Sequence, residues 1–89
     1  MKQNPDFVAR RVSDGLVLVP VTREAGDLES VFTLNPVGLR VWELIETCGS
    51  EAEIAAELVK EYRVELDVAL ADVSEVLAGL REIRAIVDD

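Results

Sequence analysis

The chain has 89 residues, enough for one domain around a single modest core, and 49% of them are hydrophobic, which argues for a globular fold and against disorder. Of the net charge of −9, residues 35–89 carry −8, a surface that repels phosphate backbones and argues against nucleic-acid binding. The longest apolar run, "LVLVPV" at 16–21, is far too short to cross a bilayer. No secretory signal is visible, and Cys48 stands alone, which excludes an internal disulfide and makes the cytoplasm the expected compartment.

"FVARRV" (7–12) and "GLVLVPV" (15–21) read as two strands joined at "SDG". Asp14-Gly15 offers turn chemistry, since glycine tolerates positive φ and aspartate bonds its own backbone. Pro20 cannot donate to a ladder, so it belongs at the strand's end or at a bulge. Arg10 and Arg11 point to opposite faces of their strand. "TREAGD" (22–27) is a polar turn, and "LESVFTL" (28–34) a third strand with Leu28, Ser30, Phe32 and Leu34 on one side.

Asn35-Pro36 then stops the strand and starts a helix, because Asn is a favoured N-cap and Pro fits the first helical position. This helix is expected over 36–48, with Val37, Val41, Leu44, Ile45 and Cys48 at helical spacing and Gly49 as its left-handed stop. Ser50 and Glu53 form a capping box opening a second helix over 51–62, with Ile54, Leu58 and Tyr62 on one face. After the connector "RVEL", Asp67 caps a third helix over 68–86. Its apolar stripe runs through Val73, Leu77 and Leu80, with Val76, Ile83 and Val87 on an adjoining line. Gly79 inside it costs roughly 1 kcal/mol against Ala, which a close packing contact would explain.

The order β-β-β-α-α-α predicts an α+β, winged-helix-like single domain over 1–89. An N-terminal three-stranded antiparallel sheet packs on three C-terminal helices, because a meander cannot cover its own face.

Catalytic vocabulary is sparse. There is no histidine, and with one cysteine the usual tetrahedral zinc ligands are missing, so no metal or cofactor is expected. The four serines Ser13, Ser30, Ser50 and Ser74 have no histidine to activate them. The carboxylate pairs Glu53–Glu57 and Asp72–Glu75 read as a solvated acidic helix face. Cys48 sits near a helix C-terminus, where the dipole disfavours a thiolate. Trp42 and Phe32 read as core, the alternative being that one of them lines a peptide groove. These residues form no catalytic set, and the chain is expected not to be an enzyme.

Four blocks in order, "ARRVSDGLVLVP", "LNPVGLRVWELIE", "IAAELVKEY" and "ADVSEVLAGLREIRAI", resemble the PqqD-like family over about 7–87. The most specific block is Leu34-Asn35-x-x-Gly38 followed by Val41-Trp42-Glu43-Leu44. The chain departs from the family's habit at Val37, often Thr, and at Arg84-Ala85, where a glycine is common.

The resemblance implies a RiPP recognition element, a non-catalytic peptide chaperone. It would bind the leader segment of a ribosomally made precursor peptide and present it to a modifying enzyme, often a radical S-adenosylmethionine protein. In the founding case the product is pyrroloquinoline quinone. The leader would add as a strand beside the third strand, at Glu29, Ser30, Val31, Phe32, Thr33 and Leu34. It would lie against Val73, Val76, Leu77 and Leu80 of the third helix. Arg81 would take a leader carboxylate, or else pair within its own acidic helix. The rival is a winged-helix-like protein-interaction or dimerisation module with no leader peptide, since a free strand edge also permits self-pairing into a homodimer. A winged-helix DNA binder would need a basic recognition helix, and segment 67–84 has the opposite sign.

Overall fold

The computed structural model describes residues 1–21 and 32–88. In chain order the elements are β1 (Lys2–Gln3), β2 (Phe7–Val12), β3 (Gly15–Pro20), β4 (Phe32–Leu34), α1 (Pro36–Ile45), α2 (Glu51–Tyr62), α3 (Leu66–Glu82) and β5 (Ile86–Val87). The sheet β2-β3-β4 is antiparallel throughout and backed by helices, giving the α+β, winged-helix-like arrangement. The turn expected at 22–27 and the first part of the expected third strand, 28–31, lie outside the described residues.

Ser13 and Asp14 make a two-residue loop closed by Val12 opposite Gly15. The positive φ that such a turn demands falls on Ser13, at 60°, and not on Gly15, which opens β3. A two-residue loop leaves only one way to close, with Val12 and Gly15 exchanging both hydrogen bonds. From there, bonded and non-bonded pairs alternate. Val17 and Val19 therefore direct their backbone groups to β2, and Leu16 and Leu18 direct theirs to β4. Pro20 ends β3 opposite Phe7 in a non-bonded pair, so its missing N–H breaks no bond to β2.

The same alternation sorts the side chains. Leu16, Leu18 and Leu34 are buried beneath the helices, while Thr33 is exposed on the other face. Arg11 shares the helical side and reaches Glu43 of α1 at 2.6 Å. The core is completed by Val41, Trp42 and Ile45 of α1, Ile54 and Leu58 of α2, and Ala69, Val73, Leu77 and Leu80 of α3. Trp42 is thus a core residue.

Helix ends follow local chemistry, with corrections. Asn35 caps α1 through Oδ1, which accepts from the Gly38 N–H at 2.8 Å. The helix ends at Ile45, three residues short of the expected 48, in a tightened last turn where the Thr47 N–H, three residues on, shares the Leu44 carbonyl with the Cys48 N–H. Ser50 caps α2, and Glu53 reaches back to the N–H of Gly49, one residue before the cap. Arg63, at φ 54°, takes the left-handed C-cap of α2. Tyr62, at the last position of α2, is exposed.

The third helix starts at Leu66 with Glu65 at its N-cap and no side-chain cap bond, so Asp67 is a first-turn residue and not the cap. It stops at Glu82, not 86. Arg84 adopts φ 63°, its N–H donates to the Arg81 carbonyl, and that of Ala85 donates to Leu80. This is a Schellman stop with an arginine at the position glycine usually fills. Beyond it Ile86 and Val87 form β5 and pair with β1, Gln3 opposite Ile86. Val87 is therefore a strand residue. Asn4 fastens this small sheet, its N–H to the Ala85 carbonyl and its side chain to that of Arg84. Gln3 ties it to α1 through the Trp42 carbonyl.

Candidate functional site

Strand β4 has a partner on one side only: its other edge is unpaired among the described residues. The register puts Leu34 and Phe32 in bonded pairs with Leu16 and Leu18, and Thr33 in the non-bonded pair with Val17. The N–H and C=O of Thr33 thus point out of the sheet, one donor and one acceptor offered to a further strand.

That edge opens onto a groove of about 280 Å³ between β4 and α3. One wall is Phe32, Thr33, Leu34 and the start of α1, with Asn35, Val37 and Gly38. The other wall is Asp72, Glu75 and Val76 of α3. Two glycines set how tightly the walls meet. A Cβ on Gly38 would lie 3.0 Å from the Leu34 side chain, so the Leu34-Asn35-x-x-Gly38 block packs the strand's end against the helix that Asn35 caps. A Cβ on Gly79 would lie 3.1 Å from Cζ of Phe32, so the ring rests directly on α3. This is the close contact that explains a glycine inside a helix.

The expected site residues divide. Phe32, Thr33, Leu34 and Val76 come together at the groove. Val73, Leu77 and Leu80 are each 0% exposed, so they support the groove from beneath and do not line it. Arg81 is not a groove residue. Its Nε bonds Asp88 Oδ2 at 3.1 Å, beyond the helix end and not within its own helix. This bond holds the Asp88 carboxyl below its ordinary value and the guanidinium above its own. Glu29, Ser30 and Val31 lie outside the described residues.

The apolar stripe does not point to Asp72 and Glu75, whose pairing in the sequence reads as a solvated face. The available signal was spacing: 72, 75, 76 and 79 form one line on α3, beside the core line 69, 73, 77 and 80. A second groove, between α1 and α2, is lined by Arg40, Leu44, Cys48 and Glu57 and has no strand edge. Its Arg40 is committed to Glu61, with Nε and Nη2 bonds of 2.8 and 2.6 Å, which lower the Glu61 pKa below 4.5.

Among the described residues no group of three His, Cys, Asp or Glu side chains is placed to hold a metal ion. No described helix is long and apolar enough to cross a membrane.

No curated protein matches the chain. A similar solved structure is that described as TbiB1 in complex with the TbiA(beta) leader peptide. It is 25% identical, has a TM-score of 0.77, and the match covers 99% of this chain and 100% of that one. The sequence profile of Coenzyme PQQ synthesis protein D matches residues 15–86, from the first residue of β3 into β5. With its most specific block now seen to lock β4, α1 and the groove together, the chain belongs to the PqqD family.

Proposed function

We propose that this protein is a non-catalytic peptide chaperone. It takes the leader segment of a ribosomally made precursor peptide as an added strand on β4 and presents it to a modifying enzyme. The observation that carries the reading is the outward-facing Thr33 amide and carbonyl beside an apolar-floored groove. Family membership and a similar structure bound to a leader peptide support it.

The physics requires both parts of the site. The Thr33 donor and acceptor would give two ladder hydrogen bonds, contributing roughly 0.5–1.5 kcal/mol each. Ordering a flexible leader costs roughly 1–2 kcal/mol per residue. Strand addition alone therefore fails, and apolar leader side chains must bury on Phe32 and Val76, at about 25 cal/mol per Å². The expected affinity is micromolar or somewhat tighter, about −8 kcal/mol.

The modifying enzyme is proposed to be of the radical S-adenosylmethionine class or another enzyme of precursor-peptide maturation, and the compartment is proposed to be the cytoplasm. The test is titration with synthetic leader peptides encoded by short reading frames beside the gene, followed by backbone amide resonances. Shifts confined to 32–38 and 72–79 support the reading. Binding to none of the peptides, or shifts spread evenly over the surface, overturns it.

A further inference from the structure

The charge of the groove narrows what enters it, an inference that rests on the leader-peptide reading above. Asp72 and Glu75 stand one helical turn apart on α3, both exposed and both on the groove wall. Neither takes part in an ion pair among the described residues. Arg40 is held by Glu61 and Glu43, Arg11 by Glu43, Lys60 by Glu57 and Arg81 by Asp88. No position three or four residues from either on α3 is basic.

A strand bonded to Thr33 sends alternate side chains over the groove. A wholly apolar guest would cover Val76 and Phe32 but would draw water away from two carboxylates that no described residue compensates, which is unfavourable. An acidic guest would add repulsion. A guest carrying a cation beside its apolar anchor satisfies both the floor and the wall.

We propose that the captured segment is a basic amphipathic strand. An apolar side chain seats on Phe32 and Val76. A Lys or Arg on the same face of the strand reaches the Asp72–Glu75 pair. Surface ion pairs are individually modest, so the cation selects among peptides more than it holds them.

The test pans a displayed library of random 12-residue peptides against the intact protein and against the double variant Asp72→Asn/Glu75→Gln. Both positions are on the surface, and circular dichroism checks that the variant is folded. The wild-type protein is expected to enrich peptides with an apolar residue and a Lys or Arg at fixed spacing. The variant keeps the apolar preference and loses the basic one. A synthetic enriched peptide binds the variant about three- to tenfold more weakly, and added salt narrows the gap. Apolar enrichment with no basic preference, or equal preference in both proteins, overturns the charge assignment and leaves the leader site standing. No enrichment by the wild-type protein, or enriched peptides indifferent to Thr33→Pro, overturns the strand-addition reading itself.

Discussion

Arg84 shows how a single backbone angle carries consequences. A non-glycine residue in the left-handed region costs roughly 1–2 kcal/mol, partly offset in glycine by the entropy it loses on folding. Arg84, at φ 63°, belongs to no ion pair among the described residues. Arg84→Gly is therefore expected to raise stability by about 0.5–1 kcal/mol, a Tm increase of roughly 2–6 °C by calorimetry. An unchanged or lower Tm would remove the Schellman stop from the explanation. Gly79 makes the opposite point. Alanine there gains about 1 kcal/mol of helix propensity but meets the Phe32 ring at 3.1 Å. Gly79→Ala should leave the unfolding free energy within about 1 kcal/mol of wild type while pushing the ring into the groove, weakening leader binding about tenfold in a calorimetric titration. The residue type was informative in the sequence, but its partner was not, since Phe32 lies 47 positions away.

The elements were most legible where a cap names its own position. Asn35-Pro36 and Ser50 mark helix starts through their own side chains, and both starts were anticipated. Ends decided by tertiary contact were not. Ile83 and Val87 continue the spacing of α3, yet Val87 pairs with Lys2 across the sheet formed by the two terminal segments. Strands of two residues leave no period to read. The apolar stripe of α3 points into the core, whereas the groove lies along the neighbouring line with its two acids.

Between α1 and α2, the Arg40–Glu61 pair makes a prediction about pH. Because the folded-state pKa of Glu61 is lowered from 4.5, its contribution is present above that value and is lost as pH falls through the lower folded value. The stability gap between wild type and Glu61→Gln should accordingly be constant near neutrality and close below pH 4.5, as followed by denaturant unfolding. A gap that widened in acid would contradict the assignment. Roughly a third of each side chain is exposed, so salt should shrink the gap at every pH.

At the scale of the whole molecule, the sheet has two outer edges, and among the described residues the β4 edge lies beside the groove against α3. Along β2 the alternation turns Ala9 and Arg11 outward, while the N–H of Phe7 is already taken by the Asn4 carbonyl. Neither of the two grooves described above borders that edge. The β4 edge has α3 behind it, so a guest strand added there would pair its backbone and bury apolar side chains together. Proline is tolerated at an outward-facing edge amide, which separates the two edges cleanly. Thr33→Pro should weaken leader binding more than tenfold with a modest loss of stability, because it removes the donor and places a ring in the guest's path. Ala9→Pro should leave binding unchanged.

Amide hydrogen exchange, read residue by residue with and without a saturating leader peptide, tests strand addition at β4 most directly. With the leader bound, exchange at the Thr33 amide should slow by at least tenfold while Ala9 and Arg11 exchange as before. A bound leader that leaves Thr33 exchanging at its free rate, or that protects the β2 edge instead, would contradict docking on β4.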